Sequence, residues 1–208
     1  MVYLAVAPAR GQQEQSRRGP RMMRESWNWP EDSNVRVFGY SNCQTVELFV
    51  NDKLVGEKSL SDFPDRRMNW EAAYEPGVLK AVGKNDGKAV CQYVLRTAGP
   101  AKKIALKLDA ASTYPGVKNT FQFEVSVVDE EGNLIAGADN EIQLKIEGPA
   151  RLLGFGNGDN ACHDNETDAT HRVYQGRALA VVQSSGQPGK ITIQAVSSSL
   201  AEASLLVE

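Results

Sequence analysis

The chain is poor in the residues that ordinarily carry chemistry. Its 208 residues include only two histidines and three cysteines. Cys43, Cys91 and Cys162 are far apart and form no Cys-x-x-Cys pair, so the spacing of a zinc site is missing. Their odd number also excludes a framework in which every thiol is paired. There is no Gly-x-Ser-x-Gly elbow, and His163 and His171 fall in one polar loop, which removes the patterns of a nucleophilic hydrolase. No apolar run approaches the ~18–20 residues of a membrane span, so no membrane partner is expected. The opening MVYLAVAPAR has a short apolar run and no basic start, which is a poor signal peptide. Helical periodicity is almost absent, and without β–α alternation there is no barrel to hold two facing carboxylates at its strand ends. No catalytic residue is expected in this chain.

Charge is unevenly spread. The net charge is -3; residues 1–99 carry 14 Lys+Arg against 12 Asp+Glu, and the remainder 9 against 14, giving +2 and -5. An acidic balance argues against nucleic acid as a partner. Arg10, Arg17, Arg18, Arg21 and Arg24 cluster within Ala9–Arg24, but no aromatic residue is interleaved before Trp27. That composition suits a solvated or partner-facing loop better than a phosphate-binding arm.

From Val35 onward apolar residues alternate with polar ones, the period of half-buried strands. Val46, Leu48 and Val50 alternate in one run; Ile104, Leu106 and Leu108, then Phe121, Phe123, Val125 and Val127, alternate in later ones. The spacing predicts strands over Asn34–Tyr40, Thr45–Val50, Lys53–Ser59, Met68–Ala73, Gly77–Lys84 and Lys88–Arg96. Further strands are predicted over Lys103–Leu108, Thr120–Val128, Asn133–Ile135, Glu141–Glu147, Arg151–Gly154, Gly176–Gln183, Gly189–Ala195 and Ala203–Val207. Asn51-Asp52-Lys53 and Asn85-Asp86-Gly87 read as tight hairpins. Small residues with Gly-Pro at Thr97–Ala101 mark a boundary. The expected partition is an irregular segment over 1–26, a first β-sandwich over 27–99 and a second over 100–208.

Two stretches offer candidate sites. Trp27, Asn28 and Trp29 put two indoles on the same side of an extended piece, with an amide between them. An indole face stacks on the apolar face of a pyranose, so these residues are a candidate carbohydrate platform; the competing reading is packing against a neighbouring domain or the sandwich itself. Trp70, in an alternating strand with Met68, reads as core. The second stretch is the loop from Gly154 through Asp159 to Asp168. Asp159, Asp164, Glu166 and Asp168 supply hard oxygen donors that suit Ca²⁺, although the EF-hand spacing is absent. The competing reading is a series of turns in which Gly and Asn adopt positive φ and Asp caps amides. Cys43 and Cys91 read as free buried thiols, the alternative being a disulfide across a sandwich in an oxidising compartment, and Cys162 reads as a surface thiol with no activating base in fixed sequence relation.

The order Trp27-Asn28-Trp29-Pro30, Val37 to Cys43 and Val46 to Lys53 resembles the segment that follows the catalytic barrel in bacterial glycoside hydrolase family 2 enzymes, which are β-galactosidase-like. Trp70 with Tyr74-Glu75-Pro76-Gly77-Val78-Leu79-Lys80, the Thr97-Ala98-Gly99 junction, Val125–Asp129 with Gly132-Asn133-Leu134, Ala138-Asp139-Asn140 and Gly154–Asp159 continue the likeness. Met1–Leu4 resembles the last piece of chain leaving that barrel. The sequence departs from the family pattern at Asp52, where Gly is usual in the hairpin, and at Asn160, where Pro is usual. The resemblance implies an all-β fold of two consecutive antiparallel immunoglobulin-like β-sandwiches. It implies an accessory, non-catalytic region whose partner is the barrel of a parent enzyme, with carbohydrate or a second copy as further partners. It also implies a periplasmic or secreted location and Trp27–Trp29 as barrel-docking residues. The alternative is a stand-alone carbohydrate-binding or adhesion-type module.

Overall fold

Branched apolar side chains on every second residue bury one face of each strand, and the Asn/Asp/Gly pairs between them set where the chain reverses. The computed structural model describes residues 1–9, 23–112 and 117–207, with residues 110–112 described by backbone only. The chain forms two compact units, Met1–Thr97 and Ala98–Glu208. Among the described residues the sole helical element is a single 3₁₀ turn, Leu60–Asp62, and no helix is long and apolar enough to cross a membrane.

The first unit contains β1 (Val2–Pro8), β2 (Asn34–Ser41), β3 (Thr45–Val50), β4 (Lys53–Ser59), β5 (Arg67–Ala73), β6 (Val78–Asn85) and β7 (Lys88–Arg96). They make a three-stranded sheet in the order β1-β2-β5 and a four-stranded sheet in the order β4-β3-β6-β7. All pairings are antiparallel. One core is shared by inward residues of both sheets, among them Leu4, Val37, Met68 and Trp70 from one and Leu48 and Leu79 from the other. The two hairpins predicted at Asn51-Asp52 and Asp86-Gly87 have positive φ at both central residues: 48° and 64° in the first, 50° and 73° in the second. These are the turns whose twist matches that of the flanking strands. Asp52 adopts this conformation without being glycine, and its exposed carboxylate meets Lys80 Nζ at 2.8 Å.

The N-terminus differs from expectation. Residues 1–26 do not form an irregular segment throughout, because Val2–Pro8 is an edge strand in register with β2 from Val2–Ser41 to Pro8–Val35. Leu4 and Val6 are fully buried. Arg24 extends the same edge through two backbone bonds with Val6, each 2.8 Å. Arg10, Arg17, Arg18 and Arg21 lie outside the described residues.

The second unit contains β8 (Lys103–Ser112), β9 (Thr120–Val128), β10 (Glu141–Glu147), β11 (Ala150–Gly156), β12 (Thr170–Arg172), β13 (Arg177–Ser184), β14 (Ile191–Ser197) and β15 (Leu200–Val207). The strand order is β11-β13-β9-β8-β15-β14-β10-β12. All neighbours are antiparallel except β8 and β15, which meet at one parallel pair, Lys103–Ala201. That single pair is the seam between two antiparallel sheets, β11-β13-β9-β8 and β15-β14-β10-β12. Phe121, Phe123, Val125 and Ala180 from one and Ile142, Leu144 and Ile193 from the other form one core, as a β-sandwich requires. Asn133–Ile135 is not a strand; it makes one bridge, Val128–Leu134. Strand β12, too short to show a period, went unpredicted.

A buried carboxylate organises the turn after β9. Asp129 is 1% exposed, and its Oδ atoms accept from Gly99 N at 2.9 Å, Asn133 N at 2.7 Å and Asn133 Nδ2 at 3.0 Å. Burial alone pushes its pKa up, but the bonds from Asn133, Gly99 and the Glu131 backbone outweigh it and hold the group below its ordinary value. The negative charge is therefore a structural part of this loop.

Candidate functional site

The Trp27–Trp29 segment is built into the first unit. Trp27 has no exposed surface. Its Nε1–H donates to the Glu75 carbonyl at 3.0 Å, and its ring meets Tyr74 edge-on at 5.2 Å. Its own carbonyl accepts from Thr97 Oγ1 at 2.9 Å, and that oxygen also accepts from Gly77 N at 2.9 Å. Trp27 therefore ties the entry of the chain to the turn before β6 and to the end of β7. This corrects its reading as a sugar platform or docking residue, because no indole face is left to stack on a sugar or a neighbouring domain. Trp29 is half-buried, packs against the same core and donates Nε1–H to the Ser26 carbonyl at 3.2 Å. Asn28 is exposed, and its backbone N–H donates to Ser26 Oγ at 3.2 Å. Trp70, 4% exposed, is core as expected, and β2 makes room for it: a Cβ on Gly39 would lie 2.9 Å from its ring.

Two carboxylates of the loop between β11 and β12, Asp159 and Asp168, serve local turns. Asp159 Oδ1 accepts from Ala161 N at 3.0 Å, and Asp159 N donates to Asn157 Oδ1 at 2.9 Å. Asp168 Oδ1 accepts from Asn165 Nδ2 at 3.2 Å. Glu166 folds back over β11, its carbonyl accepting from Phe155 N at 2.7 Å and its carboxylate lying against Gly156. These are the turn devices of the second reading of this loop. Asp159, Asp164, Glu166 and Asp168 do not gather into one oxygen cage; the one group of three or more potential metal donors among the described residues is Cys162, Asp164 and His171. Of the four predicted carboxylates it contains Asp164 alone.

Cys162 differs from expectation in the same place. It is half-buried, and His171 Nε2 lies 3.9 Å from its Sγ, so a base does stand beside this thiol. The sequence carried one signal for this. His171 and Val173 are two residues apart and both buried, the alternation of an inward strand face, which a solvated loop histidine does not show. Cys43 is a buried free thiol and Cys91 a half-buried one; they meet above Gly83 with their Sγ atoms 3.5 Å apart. Glu47 pairs with Lys84 at a half-buried position on the β3–β6 pair.

A model described as glycoside hydrolase family 2 C-terminal domain 5 matches residues 91–206. A second model, a domain of unknown function, matches residues 32–91. A β-galactosidase of Bacteroides ovatus is 32% identical over 182 residues, covering 87% of this chain and 21% of that enzyme. A β-glucuronidase of Formosa agariphila is 29% identical over 174 residues, covering 81% of this chain and 17% of that enzyme. A solved glycosyl hydrolase family 2 member from Bacteroides cellulosilyticus superimposes with a TM-score of 0.82 at 28% identity, covering 100% of this chain and 28% of that one. The chain thus spans about a fifth of the length of these curated relatives.

Proposed function

The chain belongs to the glycoside hydrolase family 2 C-terminal domain 5 family, and on that premise we propose that it works as an accessory, non-catalytic part of a larger β-galactosidase- or β-glucuronidase-like enzyme. Its partner in this reading is the catalytic barrel of that enzyme, whose stability, active-site rim or self-association it supports. The observation that carries the reading is the coverage: 87% and 85% of this chain align with 21% and 24% of two enzymes named β-galactosidase. We also read the second unit as immunoglobulin-like. The sheets β8-β9-β13-β11 and β15-β14-β10 follow the ABED and GFC arrangement of such sandwiches. A periplasmic or secreted location belongs to the same proposal, and cell fractionation tests it.

The experiment is a deletion and a graft. The matched region is removed from the B. ovatus β-galactosidase and, in a second variant, replaced by this chain. The deletion is expected to lower the melting midpoint and turnover, and the graft to restore a large part of both. A deletion enzyme as stable and active as the intact one sinks the accessory role. Hydrolysis of nitrophenyl β-galactoside or β-glucuronide by the 208-residue chain alone, at enzymic rates, does the same. A stand-alone carbohydrate-binding module is the weaker reading, because Trp27 is buried and Trp29 offers only part of its ring.

A further inference from the structure

We propose that Cys162, Asp164 and His171 bind one borderline-soft divalent cation, with Zn²⁺ the best match. The three donor atoms lie within 4.8 Å of one another. Sulfur, imidazole nitrogen and carboxylate oxygen are all zinc donors, whereas Ca²⁺ and Mg²⁺ call for oxygen alone. A tetrahedral zinc, with bonds of ~2.3 Å to sulfur and ~2.0 Å to nitrogen, sets these two donors about 3.5 Å apart. The Cys162 Sγ to His171 Nε2 distance of 3.9 Å needs only a small contraction. Cys162 and the exposed Asp164 sit on the loop side and supply that movement.

His171 is the fixed member. It is 3% exposed and meets the Phe155 ring edge-on at 5.9 Å. Its Nδ1 lies 3.2 Å from the Arg172 carbonyl. A carbonyl only accepts, so Nδ1 carries the proton and Nε2 is left with a lone pair. This outer hydrogen bond is the one that orients metal-binding histidines. Among the described residues the hydrogen-bond contact of Nε2 is Cys162 Sγ at 3.9 Å, near the outer limit for sulfur. A thiol is a weak donor, so this contact satisfies the buried nitrogen poorly. A cation between Nε2, Sγ and the Asp164 carboxylate replaces it with coordinate bonds.

The loop holding the other two donors is tied at both ends. Phe155 N donates to the Glu166 carbonyl at 2.7 Å and Leu144 N to the Ala169 carbonyl at 2.8 Å, while Cys162 N closes a turn on the Asp159 carbonyl at 3.0 Å. On binding, the Cys162 thiol loses its proton to solvent. Thiolate, carboxylate and neutral imidazole then offset the two positive charges of the ion. A water molecule completes four-coordination.

The test is titration of the full 208-residue chain, reduced and metal-free, with Co²⁺ and then Zn²⁺. One equivalent of Co²⁺ is expected to produce a thiolate-to-cobalt band in the near ultraviolet with visible bands of tetrahedral intensity, and Zn²⁺ to bleach both. Cys162→Ser abolishes the near-ultraviolet band, and Asp164→Asn weakens affinity by about tenfold or more. Both changes lie at exposed or half-exposed positions and keep the fold. Cys91→Ser, in the Cys43–Cys91 pair, leaves the band unchanged. Zn²⁺ raises the melting midpoint of the parent chain and not of Cys162→Ser. The proposal is overturned by the absence of a band at one equivalent, or by a band that survives Cys162→Ser.

Discussion

Replacing Trp27 by alanine removes a side chain with no exposed surface, an indole hydrogen bond to the Glu75 carbonyl at 3.0 Å and an edge-on contact with Tyr74. A buried tryptophan of about 200 Å² is worth about 5 kcal/mol at ~25 cal/mol per Å². Measured Trp→Ala changes in cores cost ~3–5 kcal/mol, since the site relaxes only partly. The Glu75 carbonyl is at an exposed residue and regains water, so the lost hydrogen bond adds little. The expected cost is therefore about 4 kcal/mol, a large share of the ~5–15 kcal/mol that stabilises a domain of this size. At ~4–8 °C per kcal/mol, the midpoint falls by about 20 °C. Trp27→Phe keeps most of the ring packing and loses the donor, and is expected to cost about 2 kcal/mol.

The assay is built into the chain. Its three tryptophans, Trp27, Trp29 and Trp70, all lie in the Met1–Thr97 unit, so indole emission reports on that unit alone. Emission at Trp29 and Trp70 is expected to shift at the lower temperature in Trp27→Ala. Far-ultraviolet dichroism, which also sees the second unit, keeps a component at the parent midpoint. A fall of less than about 5 °C refutes the reasoning. So does a Trp27→Ala variant of parental stability that has lost heat of binding to a β-galactoside or plant oligosaccharide, which restores the sugar-platform reading.

Two further outcomes follow from buried polar and tightly packed positions. Asp129→Asn is expected to destabilise the second unit by about 2 kcal/mol at neutral pH, because a charged acceptor of three N–H groups becomes a neutral one. The folded carboxyl has a lowered pKa, so its stabilisation is complete above the ordinary aspartate range near pH 4 and is lost as pH falls through the folded value. Denaturant curves read by dichroism across acid pH should therefore fall more steeply for the parent chain than for Asp129→Asn; equal slopes refute the assignment. Gly83→Ala drives a methyl to 2.6 Å from Cys43 Sγ and 2.8 Å from Cys91 Sγ, and is expected to cost about 1–3 kcal/mol by indole emission. Adding Cys91→Ala removes one of the two clashing atoms, so the double variant should be more stable than the sum of the single changes predicts.

The legible parts of the fold were those whose cause is local. Val46, Leu48 and Val50 alternate because one face of β3 meets the core, and Asn51-Asp52 turns the chain because both residues tolerate positive φ. Strand β1 has the same alternation at Val2, Leu4 and Val6, yet its partner β2 begins only at Asn34, and nothing near it in sequence announces the pairing. The candidate sites divide in the same way. Spacing placed Trp27 and Trp29 on one side of the chain, and both do pack on one core, but exposure is a property of what covers that side. In the loop after β11, counting carboxylates pointed to Asp159, Glu166 and Asp168, whose oxygens serve neighbouring amides or lie against β11.

By itself, then, the sequence determined an all-β chain, the place of most of its strands and hairpins, and its kinship with family 2 glycoside hydrolases. Side-chain period, turn chemistry and motif order are written along the chain and need no distant partner to be read. Only the tertiary structure decided that Trp27 is an internal anchor, that the first residues complete a sheet, and that Cys162, Asp164 and His171 stand together. Each of those depends on chain segments brought together across a turn or a sandwich. Which atoms meet there is set by packing and register, and the order of residues does not record it.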